Sequence, residues 1–422
     1  MDLKDSAIPG LLSSPTTAPG LTAYSGRHTL GQMKELHSVD EILKHLQETT
    51  HLEGVVFQGV SLTEIESQLS NVTLDESIFL GCAMTPAFAI DVQRRGGIVF
   101  PHLKDRPYHA FRPHLYTPEE LFAGFDRHDP CTYCQTPDAT IHLHWEETGQ
   151  VAPKHVLDGI LRRAHDQSIT DALTEYLESV NRKVVAIMGG HSMLRTDPRY
   201  REVAQIARSL TQKGYLLVSG GGPGAMEATH LGAWFSERPN SELEDALSIL
   251  AKAPSYRDLE WLTSAFEVRE RYPWTSEACD SLGIPTWLYG HEPPTPFATH
   301  IAKYFANSLR EEGLITIAVH GIIFSPGSAG TIQEIFQDVT QNHYATLGIV
   351  SPMVFLDKIF WTETKPIYPL LQSLAEGHLY GKLLGLADTV EETIHLIETL
   401  PPEKPEQSPN WHFCRAHCGM RD

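Results

Sequence analysis

Apolar residues in the second half of the chain fall into two alternating rhythms. Residues 183–188 (KVVAIM) and 215–219 (YLLVS) are short, nearly continuous apolar runs, the pattern of strands buried on both faces. Residues 200–213 and 224–235 instead space their apolar positions for one face of a helix. Further on, 284–289, 352–356 and 314–325 (as one strand or two short pieces) read as strands. The stretches 296–312, 330–343, 368–376 and 390–400 read as helices. A charged insert, 237–271, is helical in pattern, with Leu243, Leu247 and Leu250 on one face. Strand and helix in alternation imply an α/β fold, a parallel sheet with helices on both faces, over residues 181–400.

The first half has a different texture. Residues 1–30 are rich in Ser, Thr, Pro and Gly without apolar period, as in a flexible arm. Residues 31–151 suggest a smaller mixed domain, with a helix at 39–46 and short apolar pieces at 54–60, 76–82 and 96–100. No internal repeat is evident, and no role for this domain is legible. Between the domains, 152–180 carries Val156, Ile160, Ile169, Leu173 and Leu177 near helical spacing, which predicts one or two connecting helices. The tail, 401–422, is polar until 411–414 (WHFC), a segment suited to docking on the body.

Composition narrows the function. Asp and Glu outnumber Lys and Arg by 53 to 33, a formal charge of −20, so the molecular field repels nucleic acid and acidic membranes. The longest apolar run, 314–324, is too short to span a bilayer and is broken by His320 and Gly321. The first residues lack the basic region and apolar core of a secretory signal, so a cytoplasmic location is expected. Cys131 with Cys134 and Cys414 with Cys418 are candidate zinc ligands, with His412 or His417 as substitutes. Because the second spacing is loose and the pairs lie far apart in sequence, they read as reduced thiols and no metal is assigned.

The chemistry lies in three glycine-rich turns, each just after an apolar strand: Gly189-Gly190-His191-Ser192, Gly220-Gly221-Gly222-Pro223-Gly224, and Pro326-Gly327-Ser328-Ala329-Gly330-Thr331. In an open α/β sheet such turns gather at the carboxyl ends of the strands, where ligands bind. The third turn opens a helix, so its backbone N–H groups suit a phosphate, Thr331 adds a hydroxyl donor, and Glu334 follows one helical turn later. His191 and Ser192 are further donors to phosphate or ribose. Glu227, on the helix after the second turn, either binds ribose hydroxyls or complements the helix dipole. The segment 289–300 (YGHEPPTPFATH) is a candidate wall for a base pocket.

Residues 326–334 (PGSAGTIQE) resemble the P-G-G-x-G-T-x-x-E signature of the LOG family, and 219–228 (SGGGPGAMEA) resembles that family's other hallmark loop. Gly189-Gly190-His191-Ser192 and His320-Gly321-Ile322-Ile323 are similar to the bacterial nucleotide 5′-monophosphate nucleosidases of the same superfamily. The resemblance covers roughly the last 220 residues. It implies a Rossmann-like doubly wound sheet and a homodimer or higher homo-oligomer without a cofactor. The implied activity is hydrolysis of the N-glycosidic bond of nucleoside monophosphates such as AMP, giving free base and ribose 5-phosphate. Glu334 would serve as the catalytic carboxylate, beside an arginine best matched by Arg310, with Arg269 and Arg271 as substitutes. Ser328 departs from the family's glycine, and a left-handed backbone there would cost about 1 kcal/mol. A non-catalytic nucleotide sensor is the rival reading. A dinucleotide dehydrogenase lacks the acidic strand end its fingerprint needs, and a pyridoxal-type decarboxylase lacks a lysine placed among the turns.

Overall fold

The computed structural model describes residues 34–405 except Lys104. The expected arm, 1–30, and the docking segment, 411–414, lie outside the described residues, as do Cys414, Cys418, His412 and His417.

The amino-terminal unit is built from β1 (Glu35–Leu36), α1 (Val39–Glu48), β2 (Val56–Gln58), β3 (Ile78–Leu80), α2 (Pro86–Arg94) and β4 (Ile98–Phe100). Its strands form a four-stranded parallel sheet in sequential order, β1-β2-β3-β4. Register pairs Glu35 with Val56, Val56 with Ile78 and Ile78 with Ile98, so the chain returns to the sheet every 20 to 22 residues. That is a short solenoid, and it corrects the expectation of no repeat. Leu52, Phe57 and Gly59 recur 22 residues later as Leu74, Phe79 and Gly81, and the two phenylalanine rings stack at 4.5 Å. The period is faint in the sequence because only a few positions recur, and the intervening stretches hold α1 in one coil and turns in the next.

Three helices follow: α3 (Pro118–Leu121), α4 (Pro137–Glu147) and α5 (Val156–Val180). Residues 152–180 are thus mostly one 25-residue helix, and it does more than connect. Leu161, Ile169 and Leu173 of α5 belong to the cluster that covers one face of the large sheet.

The large unit runs β5 (Lys183–Met188), α6 (Pro198–Gln212), β6 (Tyr215–Ser219), α7 (Ala225–Trp234), α8 (Asn240–Leu250), α9 (Trp261–Arg271), β7 (Ser281–Gly283) and β8 (His300–Ile301). It continues with α10 (Asn307–Ile317), β9 (Ile322–Phe324), α11 (Ala329–Tyr344), β10 (Met353–Leu356), α12 (Ile367–Leu374), β11 (Leu384–Ala387) and α13 (Val390–Thr399). All seven strands are parallel, in the order β11-β10-β9-β5-β6-β7-β8. This is the Rossmann-like doubly wound arrangement, alongside the smaller amino-terminal unit. The strand period of two divides the core: Val184, Ala186 and Met188 face one cluster, Val185 and Ile187 the other. From β5 the chain winds outward through β6 to β8; it then returns to β9 on the other flank of β5, which makes β5/β9 the switch point where such folds bind ligands.

Three predicted elements are placed differently. Residues 284–289 are not a strand: β7 ends at Gly283, Pro285 has no N–H to donate, and Trp287–Tyr289 is a 3-10 turn capped by Thr286. The helix expected at 296–312 starts only at Asn307, because the chain before it makes a turn and then the edge strand β8, with Phe297, Ala298, Ile301 and Ala302 all buried. Of the run 314–325, Leu314 to Ile317 complete α10, and only Ile322–Phe324 is strand. The exposed edge of β8 is closed by Tyr116, which exchanges both backbone hydrogen bonds with Ile301.

Candidate functional site

The three turns leave the carboxyl ends of β5, β6 and β9, which are neighbours at the switch point, so the topology brings them together. Backbone hydrogen bonds stitch them: Gly190 N–H donates to Pro326 O at 3.2 Å, and Ala225 N–H donates to Gly190 O at 3.3 Å. Gly224 takes φ +70°, and a Cβ there would press on the His191 carbonyl at 2.8 Å. The Gly221 carbonyl accepts from Thr295 N–H, which fixes the start of the wall segment.

A cavity of about 320 Å³ opens between the turns, within the size range of small-molecule sites. Gly189, Gly190 and His191 of the first turn line it, with Ser328, Ala329, Gly330 and Thr331 of the third, and Arg310 and Glu334. Of the other residues singled out from sequence, Gly221, Gly222, Gly224, Ser192 and Gly327 shape the turns but do not line the cavity. Glu227 is fully buried in a bidentate pair with Arg195, whose Nε donates to its Oε2 at 2.9 Å and which stacks over Trp261. The carboxylate is thereby committed to a buried ion pair and does not line the cavity.

Helix α11 begins at Ser328 with no side chain capping its first N–H groups, and Ser328, Ala329 and Gly330 are exposed at the cavity. An uncapped helix start of this kind is chemically suited to an anion. Ser328 has φ −115°, not a left-handed backbone, so the strain expected for serine in a left-handed turn does not arise. Lys365 Nζ donates to Gly327 O at 2.6 Å and ties the turn to the segment after β10. A lysine therefore does reach the turns, contrary to the sequence reading, although it does not line the cavity.

Arg310 lies on the first turn of α10. Its Nε donates to Ile284 O at 3.0 Å and its Nη1 donates to Glu334 Oε1 at 3.1 Å. Gly220 makes room for it, because a Cβ there would overlap the Arg310 Nη2. The pair is mostly buried, with Glu334 9% exposed. Burial pushes the Glu334 carboxyl above its ordinary value, partly opposed by the Arg310 guanidinium and reinforced by Glu311. Arg269, the substitute arginine, instead donates to Pro296 O and pairs with Glu119.

Sequence reasoning did not single out Glu292, Tyr289, Met226, Glu311 and Gln333, which also line the cavity. Tyr289 and Glu292 fall in the segment read as a pocket wall, and Glu292 Oε1 lies 3.7 Å from His191 Nε2. Glu311 accepts from Asn307 and Gln333, so it is held in place. The cavity therefore sets a helix N-terminus without a side-chain cap beside three carboxylates, Glu292, Glu311 and Glu334, and one guanidinium.

No protein family model matches the sequence, and no curated protein does. Among solved structures, the molybdenum cofactor carrier protein of Chlamydomonas reinhardtii is 13% identical over 52% of this chain and 98% of its own, at a TM-score of 0.32. The structural-genomics target TM1055 is 19% identical over 51% of this chain and 99% of its own, at a TM-score of 0.30. Among the described residues no helix is long and apolar enough to cross a membrane.

Proposed function

We propose that the protein hydrolyses the N-glycosidic bond of nucleoside 5′-monophosphates, releasing the base and ribose 5-phosphate. The observation that carries this reading is the pairing of Glu334 with Arg310 next to the uncapped start of α11. The helix start would hold the phosphate through backbone N–H groups, aided by Thr331. As the bond to the base breaks, the sugar gains oxocarbenium character, and carboxylates in a poorly solvated cavity stabilise positive charge there. Glu334 has a second task, to accept a proton from the attacking water. Its raised affinity for protons suits a base that works near neutral pH. Arg310 is anchored by the Ile284 carbonyl and keeps Glu334 in one place. The likeness of residues 326–334 to the LOG signature supports the same activity, and also a homo-oligomer.

The test is incubation of the full chain with a panel of nucleoside monophosphates and the matching nucleosides, with free base and ribose 5-phosphate measured. Base should appear from at least one monophosphate, and calorimetry should show much weaker binding of its nucleoside. Binding of a monophosphate without any base release supports the sensor reading instead.

A further inference from the structure

Away from the nucleotide cavity, the junction between β1 and α5 gathers groups that the proposed hydrolysis does not use. His37 follows β1 directly, Glu35 lies on it, and Glu175 lies on α5. His37 Nε2 is 3.5 Å from Glu175 Oε1 and 3.8 Å from Glu35 Oε2, and one ligand atom from each of the three residues falls within 4.8 Å of the others. Zinc bound to nitrogen and carboxylate oxygen at about 2.0–2.2 Å in tetrahedral geometry separates its ligand atoms by roughly 3.4 Å. The two measured separations match that spacing to within a few tenths of an ångström.

Charge favours the same conclusion. Two carboxylates meet one imidazole, and among the described residues neither Glu35 nor Glu175 has a lysine or arginine within ion-pair distance. Asp171 and Glu41 stand close by: Asp171 adds to the repulsion felt at Glu35, and Glu41 accepts from the His37 backbone N–H. A protonated His37 would offset one of the two facing charges. A divalent cation with a neutral imidazole offsets both.

We infer that Glu35, His37 and Glu175 bind one divalent transition-metal ion, with zinc the best fit, which ties the first strand of the amino-terminal solenoid to α5. The imidazole selects against magnesium and calcium, which take oxygen ligands. Glu175 is half-exposed, so water completes the coordination. Because α5 packs against the large sheet, the ion fastens the solenoid to the body of the molecule.

The full chain, stripped with chelator and dialysed, is titrated with zinc by calorimetry, alongside His37→Ala, Glu175→Gln and a Cys131→Ser/Cys134→Ser double variant. One equivalent should bind. His37→Ala and Glu175→Gln should each weaken binding by about 100-fold or more, since each removes a direct ligand, while the double serine variant binds as the parent does. Zinc should raise the melting temperature of the parent and leave that of His37→Ala unchanged. X-ray absorption on the zinc-loaded parent should show nitrogen and oxygen neighbours without sulfur, a result that does not depend on any variant folding. Absence of stoichiometric binding, sulfur in the shell, or parental affinity in His37→Ala would each overturn the assignment. In that case His37 is only a histidine paired with two carboxylates.

Discussion

Replacing Glu334 by Gln separates binding from chemistry at the candidate site. The amide has the same shape and still accepts from Arg310 Nη1, while Arg310 keeps its hold on the Ile284 carbonyl. Stability should hardly change, for a reason visible in the site. Burial raises the Glu334 carboxyl despite the adjacent guanidinium, so the native state carries a net penalty for ionising it. A folded pKa above the unfolded one contributes stability that is present below the unfolded value and lost as pH rises through the folded value. Above the folded value, where that stability is lost, the uncharged amide removes the penalty but trades a charge-assisted hydrogen bond for a neutral one. These opposing changes are each about 1 kcal/mol, so the denaturation midpoint should stay near the parent's. Turnover should behave otherwise. Loss of a positioned base costs ~10²–10⁴ in rate, about 3–5 kcal/mol of barrier, and lost support for the cation adds to it. The assay is release of free base from AMP or the best substrate of the panel, with calorimetry for binding and urea denaturation for the fold. Release at the parental rate by a folded Glu334→Gln variant would refute the catalytic role of this carboxylate. The parent's rate should also fall as pH drops through the raised Glu334 value, because the basic form is then lost.

Gly220→Ala should mimic a defect at Arg310, because the new methyl takes the space of its Nη2 and presses on the Met226 sulfur at 2.6 Å; base release should fall on the order of 10²-fold. Unchanged release would mean that Arg310 does not need its observed place. Glu227→Ala should lower stability by about 3–5 kcal/mol in urea denaturation, since it leaves Arg195 charged and buried. A midpoint equal to the parent's would show that the pair is not structural. Asp338, on the buried side of α11, accepts from Asn342 Nδ2 at 3.2 Å, and burial holds its carboxyl well above the usual range, partly opposed by a hydrogen bond with Ser351. It therefore stabilises the fold at low pH and loses that contribution as pH rises through its folded value, by up to about 1.4 kcal/mol per pH unit. Asp338→Asn should flatten this part of the pH dependence of the denaturation midpoint, and an unaltered slope would rule Asp338 out as its source.

The amino-acid sequence by itself determined the strand–helix alternation, because fully buried parallel strands and amphipathic helices leave different apolar periods. It also located the three turns, since glycine and proline mark sites where the backbone bends sharply or is closely approached. The third turn with Glu334 was legible because its parts are neighbours along one strand–turn–helix connection. Arg310 was reached by resemblance alone, and its partner Ile284 and the gap left by Gly220 are contacts between distant segments. Glu227 shows the reverse case: locally it is an acidic residue in the first turn of a helix, and only the approach of Arg195 turns it into half of a buried ion pair. The solenoid was hidden because its coils share a few buried positions and differ in everything between them. Glu175 lies 140 residues from Glu35 and 138 from His37, and nothing in the local pattern relates it to them. Period and turn chemistry are local properties, written in neighbouring residues; which charges meet depends on how the sheet orders its strands and where α5 lies, and that is decided by packing of the whole chain.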